Sequence, residues 1–188
     1  MDPATYLPHA RALFGLIQGR ADRALAQTAD RAFFTQIDPE SNSLAHLVKH
    51  LAGNARSRFT DFLTTDGEKP DRLRDEEFEV RPGDTRDALM AAWEAGWATL
   101  FATLDALVPD DLFREVRIRG EPHTVFGAIE RQKEHYAYHV GQIVFLAKHL
   151  AGRTWAPLSI PRGGSAAYDA RSRARWEGER PSRGPRGG

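Results

Sequence analysis

Apolar residues recur every three or four positions along four long stretches of the chain. This spacing places them on one face of an α-helix. The pattern predicts long helices over roughly residues 4–28, 44–64, 85–108 and 125–151. Residues that favour helix ends support these boundaries: Ser43 precedes the second helix, Thr85 begins the third, and Gly152 follows the fourth.

The connections between the helices complete the predicted architecture. Residues 65–84 are polar and contain two prolines, which predicts a long irregular loop that would let the chain cross over. Residues 112–124 alternate apolar and charged positions around a turn at Arg119-Gly120-Glu121-Pro122, which predicts a hairpin. We therefore expect an all-α protein, a four-helix bundle with a long crossover loop and a small β-hairpin before the last helix.

The end of the chain differs from the rest in composition. Residues 161–188 are rich in Arg, Gly, Pro and Ser and have few apolar residues, so we expect this tail to be disordered. A solvated tail is favoured over a segment that contacts RNA or acidic surfaces. The chain thus divides into one folded domain over residues 1–160 and a tail over residues 161–188.

Composition narrows the functional classes. The 188 residues are 41% hydrophobic and 28% charged, which is typical of one soluble globular domain. The formal net charge is zero, so nothing indicates nucleic acid or an anionic membrane surface as a partner. The first residues show no basic leader followed by an apolar run, and we expect neither a signal peptide nor a membrane span. The absence of Cys excludes disulfides and thiolate sites and fits a cytoplasmic protein.

Two pairs of histidines, His46 with His50 and His135 with His139, suggest metal chemistry. Residues four apart share one helix face, so both imidazoles of a pair can approach one divalent ion. A third imidazole from a facing helix would complete a catalytic type of site. On a helical wheel, His135 and His139 flank the apolar stripe of the fourth helix, as expected in a groove between helices. From spacing alone, a metal-binding pair and two partly exposed surface histidines are equally well supported.

The second helix is less favourable to a metal site. His46 and His50 lie off its apolar stripe, and the wheel favours a solvent-exposed face over a polar cavity between helices. The remaining histidines, His9, His123 and His149, lack partners at ligand spacing. The chain has no phosphate-binding loop, no Gly-x-Ser-x-Gly and no His-Glu-x-x-His, so nucleotide binding and several hydrolase classes have no support.

The chain resembles the DinB/YfiT-like superfamily in three features. They are a histidine followed by Leu on the second helix, a distant His-x-x-x-His, and a helical bundle of this length. Within this superfamily, one branch of bacterial proteins of unassigned function resembles the chain over two runs, NSLAHLVKHLAGNARSRFTDFLTTDGEKP and HYAYHVGQIVFLAKHL. The similarity covers about residues 5–160. It implies a metal site at His50, His135 and His139. For His50 this implication overrides the helical wheel, which favours a solvent-exposed position. His46 lies where the superfamily does not require a ligand.

The resemblance also implies cofactors and partners. Members bind a divalent transition metal, commonly zinc or nickel, and some relatives use a small cofactor thiol such as bacillithiol or mycothiol. It implies a homodimer. We expect a small-molecule substrate and, from the zero net charge, no nucleic-acid or membrane partner. An ion held by three imidazoles keeps open positions and can acidify a bound water or thiol. We therefore expect a metal-dependent transferase or hydrolase.

Several questions stay open at this stage. The alternative function is a non-catalytic, metal-stabilised binding or stress-response protein, which a closed four-ligand shell including His46 would favour. Metal-ligating imidazoles usually donate their second N–H to an acceptor, and Asp61, Gln142 and Glu134 are candidates by proximity in sequence. Arg56 and Arg58 could hold an anionic substrate or cofactor carboxylate, but structural salt bridges explain them equally well.

Overall fold

A computed structural model describes residues 2–178, and most of them are helical. Within this range the helices are α1 (Pro3–Leu25), α2 (Asp30–Phe33), α3 (Leu44–Phe59), α4 (Arg86–Ala106), α5 (Val125–Ala151) and α6 (Ser165–Gly178). Two antiparallel strands, β1 (Glu115–Ile118) and β2 (Glu121–Thr124), precede α5. The predicted predominance of helix and the predicted hairpin are confirmed. None of the helices within residues 2–178 combines the length and apolar character that a membrane crossing requires.

Local sequence sets the ends of the long helices. Ser43 caps α3 because its Oγ accepts the backbone N–H of His46, while the His46 ring accepts the backbone N–H of Ser43. Thr124 caps α5 through Gly127 N, and Gly152 ends that helix with a φ of 56°. Helix α3 ends at Phe59, before the predicted residue 64, because Thr60 leaves helical geometry with a ψ of 129° and the backbone then turns at Asp61, whose φ is 49°.

Within residues 2–155, α3 packs most extensively against α4, and α1 packs against α5. The approach of α3 to α4 requires a glycine on α4. A Cβ atom added at Gly96 would lie only 3.1 Å from both the carbonyl oxygen of Ala52 and the Cβ of Ala55. Small residues at this crossing therefore set the separation of the two helices.

Aromatic rings join the long helices in the core. Phe14 of α1 is fully buried and makes edge-on contacts with Phe59 of α3, Trp97 of α4 and Tyr136 of α5. The ring centroids are 5.9 to 6.4 Å apart, within the range of favourable aromatic pairs. One buried side chain thus contacts all three of the other long helices.

The connection between α3 and α4 has no long helix but is held by specific hydrogen bonds. The carboxylate of Asp66 accepts the backbone N–H groups of Glu68, Arg119 and Gly120 at 2.7 to 2.8 Å. Gly67 N donates to the Arg117 carbonyl at 2.7 Å. The start of the Asp-Gly-Glu-Lys-Pro stretch is therefore fastened to the hairpin. Further on, the connection makes one short 3₁₀ turn, Asp75–Phe78.

Residues 156–178 belong to a second unit, which contains α6. Disorder is predicted from sequence for residues 161–188, and the structure differs from this expectation over Ser165–Gly178. Between these ends the segment has four alanines and no Gly or Pro, a composition that favours helix. The rest of the disorder prediction, on residues 179–188, lies outside the described residues.

We predict that Asp66→Ala lowers the free energy of unfolding by about 1–3 kcal/mol, because three backbone N–H groups lose a charged acceptor. The matched control, Asp71→Ala, removes a carboxylate that is 69% exposed and pairs with Arg56 at 3.3 Å on the surface. This control should change the free energy by less than about 0.5 kcal/mol. Urea denaturation at pH 7 measures both variants.

The contribution of Asp66 should also depend on pH. Partial burial raises the pKa of this carboxyl group, but the hydrogen bonds from three backbone N–H groups outweigh burial and leave it below 3.8. A lowered folded-state pKa stabilises the fold above the unfolded-state pKa, and this stabilisation is lost as pH falls through the folded-state value. The difference between wild type and Asp66→Ala should therefore shrink below about pH 4. An unchanged difference at about pH 3 would contradict a role for the charge.

Candidate metal centre

Three histidines from two helices converge at one point. His50 lies on α3, and His135 and His139 lie one turn apart on α5. Each offers one ring nitrogen, and these nitrogens lie within 4.8 Å of one another. The Nε2 atoms of His50 and His135 are 3.2 Å apart. Two nitrogen ligands of a tetrahedral ion with bonds of about 2.0–2.1 Å are separated by roughly 3.3 Å, so the spacing suits a single ion.

The face of α3 that carries His46 and His50 is buried, and the helical-wheel preference for solvent is wrong. His50 is 3% exposed and His46 is 6% exposed. The reason is non-local: the turn Asp75–Phe78 packs on α3, and the Phe78 ring lies 4.8 Å from the His50 ring. His46 is occupied with the helix cap at Ser43 and is outside the three-histidine group.

A buried carboxylate orients His50. Its Nδ1 lies 2.8 Å from Glu77 Oε2, and Arg72 binds both oxygens of the same carboxylate at 2.8 Å. Burial alone would raise the pKa of Glu77, but the hydrogen bonds from His50 and Arg72 outweigh it and hold the pKa below its usual value. The ionised carboxylate can only accept, so Nδ1 of His50 carries a proton, and Nε2 is the nitrogen that faces the other rings.

The other two histidines are held differently. Nδ1 of His139 lies 3.0 Å from Gln142 Oε1, which leaves Nε2 as the free nitrogen. Nδ1 of His135 is buried and has no hydrogen-bond partner within residues 2–178. Burial and the neighbouring histidines lower the pKa of His135 to about 3, and burial lowers the pKa of His139 as well. Both rings are therefore neutral at pH 7, the form that binds metal ions.

One of the three orienting candidates suggested by sequence makes the expected contact. Gln142 bonds to His139, whereas within residues 2–178 the structure shows no hydrogen bond from Asp61 or Glu134 to any of the three rings. Glu77 was missed, because it lies 27 residues after His50 in an irregular loop. Its only sequence signal was the unusual length of that polar loop.

The glycine of the His-Leu-Ala-Gly-Asn stretch has a clear role beside this carboxylate. A Cβ atom at Gly53 would collide with Glu77 Oε1 and lie 2.9 Å from Glu77 Cδ. Glu77 cannot move aside without losing its bonds to His50 and Arg72. Gly53 therefore allows the loop carboxylate to approach α3 closely enough to reach His50.

An open cleft of about 350 Å³ gives access to the three histidines. Asn54 and Gln132 form one wall, joined by a 2.6 Å hydrogen bond between α3 and α5. The two arginines singled out from sequence lie apart: Arg56 makes an exposed ion pair with Asp71, while Arg58 is buried and lines the cleft. Both make salt bridges, as the structural alternative expected, but only Arg58 borders the candidate site.

Fold and site together define a mostly helical protein with a partly buried three-histidine cluster that is close enough to hold a metal ion. The chain belongs to the family described as "Protein of unknown function (DUF1572)", whose profile matches residues 2–164. The matched region contains α1 to α5 and all three histidines and ends before α6. Comparisons with curated proteins and with solved structures found no match.

We predict that Gly53→Ala destabilises the protein by about 1–3 kcal/mol, because the added methyl group displaces the Glu77 carboxylate. Gly15→Ala is the matched control in α1, since a Cβ atom at Gly15 meets nothing within 4 Å. This control should stabilise the helix by up to about 1 kcal/mol. Urea denaturation of both variants measures the difference, and equal effects would contradict the close approach at Gly53.

Proposed function

We propose that the chain binds one divalent transition metal ion, zinc or nickel, through His50, His135 and His139. Three features support this assignment. The ring nitrogens have the spacing of ligands to one ion. The rings of His135 and His139 are held neutral by burial. Glu77 and Gln142 orient His50 and His139 by hydrogen bonds to Nδ1, the ring nitrogen on the side away from the proposed ion. A carboxylate behind a ligating imidazole is the usual arrangement in zinc sites.

We further propose that residues 2–155 form a four-helix bundle of the DinB/YfiT-like superfamily. The four long helices, α1, α3, α4 and α5, support this architecture, as do the pairing of α3 with α4 and of α1 with α5. The candidate ligands lie on α3 and α5, which are separated in sequence by α4 and the hairpin. A metal ion between them would tie together distant parts of the chain.

The function that the site supports best is a metal-dependent transferase or hydrolase acting on a small molecule. When bound, the ion would supply a Lewis acid that lowers the pKa of a water or thiol ligand. The chain has no Cys, so any thiol would come from a bound cofactor. The single observation that carries the proposal is three ligands facing an open cleft, because purely structural zinc sites have four protein ligands.

The primary test is the metal content of protein purified without chelator or nickel resin. We expect about one divalent ion per chain by elemental analysis, and a loss of it in His50→Gln, His135→Gln and His139→Gln. Gln keeps a polar side chain in each of these positions. Circular dichroism spectra matching wild type would show that the variants fold.

His46→Gln is the matched control, because Gln at this position can still reach back to the helix cap at Ser43. It should retain the metal. Loss of metal in His46→Gln together with retention in His50→Gln would show that the ligand assignment is wrong. Wild-type protein that neither contains metal nor takes up added zinc would contradict the proposed centre itself.

The orienting role of Glu77 can be tested separately. Glu77→Gln should weaken metal affinity by about 10–100-fold, because His50 loses its charged acceptor. Glu76→Gln is the control, since Glu76 is 40% exposed and pairs with Arg81 away from the three rings. Competition with a chromogenic chelator measures both affinities, and an equal affinity in the two variants would exclude the proposed role.

A further inference from the structure

The cleft in front of the three histidines is lined by positive charge. Five arginines border it, namely Arg58, Arg72, Arg74, Arg119 and Arg131. Of the described residues that line it, Glu134 alone is acidic. Arg58 and Arg72 are balanced by ion pairs of 2.6 Å with Glu68 and 2.8 Å with Glu77. Arg74 pairs with Asp75 at 3.6 Å, and Arg119 shares Glu68 with Arg58. The five arginines outnumber the carboxylates Glu68, Glu77, Asp75 and Glu134 by one, which leaves the cleft positive before any metal ion is bound.

Arg131 is an exposed residue that borders this cleft. It makes no hydrogen bond or salt bridge within residues 2–178. It lies one turn before His135 on α5, so both side chains project from the same helix face. Its charge acts on both Arg58 and His135. The positive charges of Arg131 and Arg58 at this cleft repel each other, and an anion between them would remove this cost.

Two more arginines at the same cleft have hydrogen-bonding capacity that their present contacts do not use. Arg58 is 5% exposed, and its buried Nε has no hydrogen-bond partner among the residues that the structure describes. Arg119 is about half exposed, and its contact with Glu68 is long at 3.3 Å. Its backbone is held by Asp66, which fixes the base of this side chain on the hairpin. Arginines from α3, the hairpin and α5 thus surround one space.

We propose that this space binds the carboxylate or phosphate group of a small anionic substrate or cofactor through Arg58, Arg119 and Arg131. The guanidinium group suits both anions because it can form two parallel hydrogen bonds. A cleft of about 350 Å³ is within the range of small-molecule sites. The inference rests on the proposed metal centre, since the remainder of the bound molecule would extend toward the three histidines.

Isothermal titration calorimetry on the zinc-loaded full chain tests the proposal with inorganic phosphate, malonate and uncharged malonamide as probes. We expect binding of phosphate or malonate and no binding of malonamide. Arg131→Gln and Arg119→Gln should each weaken anion binding about tenfold. Tighter binding of phosphate would identify a phosphate ester as the ligand, and tighter binding of malonate a carboxylate.

Arg114→Gln is the control, because it removes one positive charge from a half-exposed arginine that does not line the cleft. Its anion affinity should stay within about twofold of wild type. Unchanged affinity in Arg131→Gln, an equal loss in Arg114→Gln, or no anion binding by wild type would overturn the inference.

Metal content measured on the same samples separates this inference from the metal centre. Arg131→Gln should keep its metal while losing anion affinity. If wild type contains no metal, the metal centre fails, and titration of the metal-free protein still decides whether Arg131 and Arg119 bind the anion.

Discussion

The candidate site depends on the hydrogen bond between His50 Nδ1 and Glu77 Oε2. Both side chains are nearly inaccessible to solvent, with exposures of 4% and 8%, so the carboxylate must be paired to remain ionised there. Arg72 supplies the balancing charge through two bonds of 2.8 Å. With a proton held on Nδ1, Nε2 of His50 is the nitrogen directed at the rings from α5. Without this bond the imidazole would lack a fixed orientation.

That contact is positioned by the loop between α3 and α4. Asp66 fastens the start of the loop to the turn between β1 and β2. Glu68 then pairs with Arg58 of α3 and with Arg72, whose guanidinium group also holds Glu77. A chain of charged hydrogen bonds thus extends from the hairpin to the histidines. Gly53 completes the arrangement, because α3 offers no Cβ atom where the carboxylate approaches.

Local features of the fold could be predicted from sequence. Helix α5 has its predicted bounds, because Gly152 and the apolar period are both read along a single segment. The helical wheel failed for His50 because it treats α3 alone, whereas a turn more than 20 residues later covers that face. Glu77 could not be selected for the same reason. Its role follows from tertiary hydrogen bonds and not from spacing along a helix.

X-ray absorption spectroscopy at the metal edge of the loaded protein tests the central claim most directly, because it counts the imidazole ligands around the ion. The account predicts three imidazole nitrogens at about 2.0–2.1 Å, with the remaining positions taken by light oxygen ligands. His50→Gln, which is expected to lose the metal, should not show this three-imidazole shell. A coordination shell with fewer than three imidazoles in wild type, or the same shell in His50→Gln, would contradict a site shared by α3 and α5.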